Sequence, residues 1–378
     1  MVGWEYPPFK TGGLAVHCYW LTLALAKRGV DIDFFMPRTS TAISSPHSRV
    51  NIIEVGKKTG WGAYASSSPY FGDFLANVKE FNSACAQELA IRARDRRYDI
   101  IHCHDWLTAE AGMASRAALG LPLVSTIHST EYDRSGLWRN THIEGIEQAL
   151  LRSADLVITV SNYMRAQLGE RFGVPAGKVR VVYNAVEPGE FTKSWETARR
   201  GQKTVLFLGR LTEQKGPVQF LHAAKKVLEK ERDAQFVIAG SGWMLPELIG
   251  LAVSLGIGRN VSFLGYLPDE EKRAVYAQSD LYVMPSVSEP FGITALEAMA
   301  SGTPVIVSKT SGVCEVTAHR LAVDFWDVNA LAEKMLAVLK YGVLSRALAR
   351  NGAADAAVRT WDDVAQQTAA VYSEVARA

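Results

Sequence analysis

The strongest constraint on the fold is a repeated alternation between short runs rich in Val and Ile and longer amphipathic stretches. In the first half, strands are predicted at 31–36, 51–55, 99–103, 122–127, 156–160 and 179–183. Helices are predicted between them at 13–28, 73–97, 108–119, 141–153 and 161–172. Apolar residues at consecutive strand positions are typical of strands buried on both faces. The alternation therefore predicts a doubly wound α/β domain, with a parallel sheet covered by helices.

The second half repeats this arrangement after a polar segment at 184–203 that contains Pro and Gly and shows no period. Strands are predicted at 204–208, 235–239, 261–264, 280–284 and 303–307, and helices at 216–231, 246–255, 269–278, 292–300 and 327–341. We therefore predict two Rossmann-like domains, 1–190 and 191–360, which face each other across a cleft. The final helix, within 361–378, is expected to pack back on the first domain.

Composition excludes several classes of protein. Apolar residues make up 48% and charged residues 21% of the 378 residues, and the net charge is +2, which argues against a disordered chain and against a basic nucleic-acid binder. No apolar run reaches the roughly 18 residues of a membrane span, and the first residues lack the pattern of a signal peptide. The four cysteines form no CxxC pair, so we expect free thiols and a cytoplasmic protein.

Three loops carry candidate chemistry, because ligands of open α/β sheets bind at the carboxyl ends of the strands. The first loop contains Lys10, Gly12 and Gly13 at the start of a helix. Glycines there let backbone N–H groups approach an anion, and the helix dipole favours negative charge. A plain tight turn is the alternative interpretation.

The second loop, 209–216, directly follows the predicted strand 204–208 and holds Arg210 and Lys215. The two cations are placed to reach one polyanion together, Arg by its planar fork and Lys as a point charge. The alternative is a solvated pair on the surface.

The third loop places Glu289 just before a predicted helix and Glu297 inside it, among apolar neighbours. A carboxylate in apolar surroundings needs a partner, and the hydroxyls of a ribose or a sugar would supply donors. The alternative is that Glu289 caps the helix and that Glu297 pairs with a nearby basic side chain.

Taken together, the KTGGL motif at 10–14, Arg210 with Lys215, and Glu289 with Glu297 resemble the retaining glycosyltransferases of GT-B fold. The chain is most similar to the glycogen- and starch-synthase-like group and to the wider sucrose-synthase-like branch. The resemblance covers nearly the whole chain, and its most specific part is SEPFGITALEAMASG at 288–302.

This resemblance implies a nucleoside-diphosphate sugar donor, bound mainly by the second domain. Arg210 and Lys215 would neutralise the leaving diphosphate, and Glu289 and His128 would meet the transferring sugar. The remaining implied donor contacts are Lys10, Gly12, Gly13, Tyr266, Leu267, Phe291, Gly292, Ile293, Thr294 and Glu297. Of these, Tyr266 and Leu267 would hold the base and Glu297 the ribose. No metal or other cofactor is expected, because fixed cations and a helix N-terminus stabilise a departing diphosphate.

The preferred hypothesis is a retaining transferase that moves a hexosyl unit, glucose, from ADP- or UDP-glucose to a glucan or saccharide acceptor. One alternative is a membrane-surface transferase with a lipid-linked acceptor, suggested by Arg92, Arg94, Arg96 and Arg97. Another alternative, of a different class, is a non-catalytic sugar- or nucleotide-binding module. The presence of Lys215 together with both glutamates argues against this module.

Three further patterns are given less weight. The DxD spacing of Asp31 and Asp33 opens an early strand, away from the predicted diphosphate loops. The sequence HCHD at 102–105 resembles a metal cluster, but alternate strand residues point to opposite faces, so a cleft loop is favoured. The aromatic residues of the segment 61–71 are predicted either to stack on acceptor sugars or to cover the core.

Overall fold

The first part of the chain folds around parallel strands that follow the predicted alternation. The strands are β1 (Ile32–Pro37), β2 (Val50–Val55), β3 (Ile101–His104), β4 (Leu123–Ile127), β5 (Leu156–Thr159) and β6 (Val179–Val181). The helices are α1 (Gly13–Lys27), α2 (Asp73–Arg92), α3 (Ala109–Leu119), α4 (Glu131–Ser135), α5 (Thr141–Ser153) and α6 (Asn162–Phe172). This computed structural model describes residues 1–10, 12–40, 43–57, 73–136, 138–191 and 202–377.

Strands β1 and β2 pair with each other, and β3 to β6 pair in chain order, all of them parallel. Val2 joins the two groups, because it forms parallel bridges to both Phe35 and Cys103. The chain therefore supplies only a short central strand between β1 and β3. Every residue of β3, β4 and β5 is buried, as the consecutive apolar positions predict.

The second part of the chain contains one parallel sheet of six strands. They are β7 (Thr204–Leu208), β8 (Gln235–Ala239), β9 (Val261–Gly265), β10 (Leu281–Met284), β11 (Val305–Ser308) and β12 (Leu321–Val323), in the spatial order β12-β11-β10-β7-β8-β9. Its helices are α7 (Pro217–Leu228), α8 (Leu245–Ser254), α9 (Asp269–Gln278), α10 (Ile293–Ala300), α11 (Val328–Lys340) and α12 (Gly342–Ala357). Because the strand order reverses beside β7, the loops after β7 and β10 lie at one topological switch point.

The chain divides into two compact units, Met1–Asn184 with Trp361–Ala378, and Ala185–Thr360. The last helix, α13 (Trp361–Val375), belongs to the first unit, where it packs against α1. Each unit has its own apolar core. The two-sheet α/β architecture predicted from the sequence is confirmed.

The sequence did not predict three elements: the short helix α4, the short strand β12 and the helix α12. Helix α12 contains Gly352, which lowers helix propensity. In the folded chain a Cβ at Gly352 would lie 3.3 Å from the Met299 side chain. The glycine therefore allows α12 to pack closely on α10, and tertiary contact outweighs propensity.

Two regions named above fall outside the described residues, namely the aromatic segment 61–71 and residues 192–201 of the predicted linker 184–203. Among the described residues, every helix is too short or too polar to span a lipid bilayer. All four cysteines are described and none is in a disulfide, as expected.

Candidate functional site

In the second unit, the loop after β7 carries Arg210 and Lys215 to the carboxyl edge of the sheet. It begins with Gly209, whose N–H donates to the Ala239 carbonyl at 3.0 Å. It ends at Gly216, whose φ of +72° favours glycine and where a Cβ would lie 2.1 Å from the Pro285 carbonyl oxygen. The loop is therefore packed against the neighbouring strand connections at both of its ends.

Lys215 and Glu289 form an ion pair at this edge. The Lys215 Nζ lies 2.5 Å from the Glu289 Oε2, and the two side chains are only 20% and 10% exposed. The Ser286 hydroxyl donates to the same carboxylate oxygen at 3.1 Å. A lysine ammonium has three donors, so this pair leaves N–H groups of Lys215 for a further anion.

Gln214 ties the two loops together and also holds Arg210. Its backbone carbonyl accepts the Val287 N–H at 2.8 Å, and its side-chain amide donates to the Ser288 carbonyl at 3.2 Å. Its other amide atom, Oε1, accepts from the Arg210 guanidinium at 3.1 Å. The structure thus brings the predicted residues Arg210, Lys215 and Glu289 into one cluster, which we call the cation cluster.

Glu297 is buried in α10, and both of its oxygens have protein partners. Lys272 donates to Oε1 at 2.7 Å, and the Tyr276 hydroxyl donates to Oε2 at 3.0 Å. Burial lowers the pKa of Lys272, but the adjacent carboxylate outweighs this effect and the net shift is upward. The alternative interpretation, in which Glu297 pairs with a basic side chain, is therefore what the structure shows. The carboxylate still has lone pairs left, and its role toward a ribose stays a prediction.

The segment before α10 forms the N-terminus of that helix. Phe291 is buried, and Gly292 has a φ of +106°. The Thr294 hydroxyl lies 2.9 Å from the Tyr282 hydroxyl. After β9, Tyr266 is 49% exposed. The structure places these residues at strand ends of the same sheet, and their contacts to a donor stay predictions, as do those of Leu267 and Ile293.

In the first unit, Lys10, Gly12 and Gly13 precede or open α1. Gly12 and Gly13 are exposed, and a Cβ at Gly12 would have no atom within 4 Å. Gly12 has an extended backbone with φ −170°, which any residue adopts. The loop therefore presents open backbone at a helix N-terminus, where an anion is favoured.

His128 follows β4 and is partly buried. The Asp105 carboxylate accepts the His128 N–H at 2.6 Å, and Asp105 itself has a φ of +57°. Burial raises the pKa of Asp105 to about 6 and lowers the pKa of His128 to about 3. His128 is therefore a neutral imidazole whose backbone is fixed by a neighbouring carboxylate.

Two more histidines, His17 and His104, pack against His128, and a third, His102, stacks on His104. His102 and His104, two residues apart on β3, stack with ring centroids 4.4 Å apart, and His17 from α1 lies 4.4 Å from His128. The HCHD segment does not converge as a unit, as predicted, because only His102 and His104 share a face. Sequence reasoning missed His17, whose spacing from the others carries no signal along the chain.

The DxD pair is occupied by structural contacts. Asp31 pairs with Arg49 at 2.9 Å, and Asp33 pairs with Arg96 at 2.8 Å and accepts from the Tyr98 hydroxyl at 2.5 Å. These partners agree with the low weight given to this motif.

Comparisons with known proteins identify the family. The description "Glycosyltransferase Family 4" matches residues 11–190, and "Glycosyl transferases group 1" matches residues 190–355. An uncharacterized glycosyltransferase of Methanocaldococcus jannaschii is 35% identical, over 98% of this chain and 97% of that protein. The glycogen synthase of Mycobacterium tuberculosis is 30% identical, over 98% and 93%.

Among solved structures, the catalytic domain of starch synthase IV from Arabidopsis thaliana, bound to ADP and acarbose, aligns with a TM-score of 0.75. It covers 100% of this chain and 99% of that chain at 17% identity, which shows a shared fold. The expected GT-B architecture is therefore confirmed, and the chain belongs to the GT-B glycosyltransferases of group 1.

Proposed function

We propose that this glycosyltransferase moves a glucosyl unit from ADP- or UDP-glucose to a glucan or other saccharide, with retention of the anomeric configuration. The observation that carries the proposal is the cation cluster at the switch point of the second sheet, in which Lys215 pairs with Glu289 and Gln214 holds Arg210 in the same loop. Two fixed cations there match the two negative phosphates of a nucleoside-diphosphate leaving group.

The chemistry follows from the charges that develop during transfer. The bond between the sugar C1 and the phosphate oxygen breaks, so negative charge grows on the diphosphate and positive charge on the ring. Preorganised cations stabilise that diphosphate without reorganisation at the moment of reaction. Retention is explained by attack from the same face, with a donor phosphate oxygen taking the proton of the acceptor hydroxyl as the new C1–O bond forms.

Within this proposal, Glu289 hydrogen-bonds the transferring sugar and Glu297 the ribose. The family resemblance adds His128 and the loop from Lys10 to Gly13 as first-unit residues of the same reaction. No metal cofactor is required in this scheme, because Arg210 and Lys215 carry the charge. The name of the mycobacterial relative, glycogen synthase, supports a glucan acceptor.

The lipid-acceptor alternative depended on an arginine run at the end of α2. In the structure Arg92 pairs with Glu88 at 2.7 Å, Arg96 with Asp33 at 2.8 Å, and Arg97 with Asp99 at 3.6 Å. Carboxylates already accompany three of these four arginines. This pairing supports the preferred saccharide acceptor over a membrane surface.

The test is nucleotide release from a panel of nucleotide sugars, measured with and without glucan, small-saccharide and lipid acceptors. We expect release that depends on a saccharide acceptor and a product whose anomeric proton signal in NMR matches the α configuration of the donor. Glu289→Gln is the matched inactive control. An inverted product would refute retention, and absence of release with every donor and acceptor would refute the proposed transfer.

A further inference from the structure

We propose that His17, His104 and His128 form a binding site for one transition-metal ion of the Zn²⁺ type. One ring nitrogen from each histidine lies within 4.8 Å of the corresponding atoms of the other two. The three residues come from separate elements: α1, the end of β3, and the loop after β4. Three imidazoles with an open fourth position are an established ligand set for Zn²⁺.

The spacing of one pair already matches a bound ion. His104 Nδ1 and His128 Nε2 are 3.2 Å apart and are hydrogen-bonded to each other, so the donor ring has to carry its proton on its other nitrogen before both lone pairs can face an ion. Two nitrogens that ligate a tetrahedral zinc at about 2.05 Å are about 3.3 Å apart. The ligand nitrogen of His17 lies at most 4.8 Å from the other two. It therefore has to move toward them by no more than about 1.5 Å to reach the spacing of a tetrahedral zinc site.

An unsatisfied ring nitrogen gives an independent indication of a ligand. Within the described part of the chain, His17 Nε2 is buried and has no hydrogen-bond partner. Such atoms are uncommon in folded proteins because each costs about 1–3 kcal/mol. A bound ion would engage the lone pair of His17 Nε2 directly.

The surroundings of His17 resemble the outer shell of a metal site. His17 Nδ1 lies 2.7 Å from the Asn184 side-chain oxygen, so Nδ1 carries the proton and Nε2 carries the lone pair. A metal-ligating histidine typically donates its other ring N–H to an oxygen in this way. Burial lowers the pKa of all three imidazoles, which keeps them in the neutral form that binds metal.

His102 provides a matched comparison within the same cluster. It stacks on His104, but its Nδ1 lies 2.6 Å from the Tyr372 hydroxyl and its Nε2 lies 2.7 Å from the Thr126 hydroxyl. Both of its nitrogens are therefore engaged, and His102 is a neighbour of the site and not a ligand.

A functional consequence rests on the proposed transferase activity. His128 is predicted to face the transferring sugar. A metal ion bound to its Nε2 would prevent that nitrogen from contacting the sugar. Zn²⁺ would then act as an inhibitor of transfer, in keeping with a reaction that needs no metal.

The deciding experiment titrates the chelator-treated full-length protein with Zn²⁺ against a chromogenic chelator, and with Co²⁺ while the visible spectrum is recorded. We expect one Zn²⁺ per chain and a tetrahedral Co²⁺ spectrum. His17→Gln, His104→Gln and His128→Gln should each weaken Zn²⁺ binding about 100-fold or more, and Asn184→Ala about 10- to 100-fold, the range for loss of an outer-shell partner. His102→Gln should bind as the wild type does.

Thermal unfolding without metal shows which variants fold. If the variants of the buried residues His17 and His104 do not fold, Zn²⁺ binding by His128→Gln, at a partly exposed position, tests the site. Wild-type protein that binds no Zn²⁺, or unchanged binding in His128→Gln, would overturn the site. Nucleotide release provides a separate readout: Zn²⁺ should inhibit the wild type and not His17→Gln. Zn²⁺ binding without inhibition would uphold the site and overturn the role given to His128.

Discussion

Replacing Lys215 by Met tests the cation cluster, because it removes the charge and keeps most of the side-chain volume. At 2.5 Å, the attraction between Lys215 and Glu289 is about 7 kcal/mol before desolvation, for an effective dielectric constant of about 20. Desolvation offsets most of this attraction. We therefore expect Lys215→Met to lower the free energy of unfolding by about 3 kcal/mol, the low end for breaking a buried ion pair, since the Ser286 hydroxyl still contacts Glu289.

Lys215→Met should also affect the transfer reaction, through the transition state and not through the stability of the fold. The charge on the leaving diphosphate grows mainly in the transition state, so loss of the ammonium should lower kcat more than it raises KM. By analogy with removal of one preorganised donor, we expect kcat to fall about 10²- to 10³-fold, or roughly 3–4 kcal/mol. The double variant Lys215→Met with Glu289→Gln should regain stability and remain inactive.

The assay is steady-state nucleotide release, combined with chemical denaturation of each variant. Lys309→Met is the control. Lys309 pairs with Asp324 at 2.7 Å, but the Lys309 side chain is 58% exposed, and an exposed ion pair contributes only about 0–1 kcal/mol. If Lys215→Met folds and keeps the kcat of Lys309→Met, the assignment of Lys215 to the leaving group is wrong.

Three further predictions concern stability. Glu297→Gln leaves Lys272 with the Asp269 carboxylate at 3.5 Å as its ion-pair partner and should cost about 3 kcal/mol in denaturant unfolding, the low end for breaking a buried pair, with recovery when Lys272→Met is added. Because burial raises the pKa of Asp105 from 3.8 to about 6, the folded state binds this proton more tightly, and the free energy of unfolding should fall by up to about 3 kcal/mol between pH 4 and pH 6. Asp105→Asn should lack this decline. Gly216→Ala forces a Cβ to 2.1 Å from a carbonyl oxygen and should lower Tm, whereas Gly250→Ala, in open space on a helix, should stabilise the protein by about 0.5–1 kcal/mol.

Each of these predictions has a contradicting outcome. Additive losses in the double variant of Glu297 and Lys272 would mean that the two side chains do not stabilise each other. An Asp105→Asn protein with the wild-type pH profile would place the titration elsewhere. Equal Tm changes for the two Gly→Ala variants would show that the loop before α7 relaxes without strain.

Much of the fold follows from local pattern. Consecutive Val and Ile residues bury both faces of a strand, and the amphipathic stretches between them cover the sheet, so most strands and most helices were predicted near their observed positions. The same pattern places Arg210, Lys215 and Glu289 in loops at strand ends. Helix α12 was missed, because Gly352 lowers helix propensity and only its close packing on Met299 compensates.

What the sequence by itself determined is therefore most of the elements and which loops lie at the carboxyl edge of a sheet. Tertiary structure decided which side chains meet there. Lys215 and Glu289 are 74 residues apart and pair only because β10 lies directly beside β7. In the same way, His17 on α1 meets His128 after β4 with ring centroids 4.4 Å apart, although the two residues are far apart along the chain. Such contacts depend on the spatial order of strands and helices, and no periodicity along the chain encodes that order.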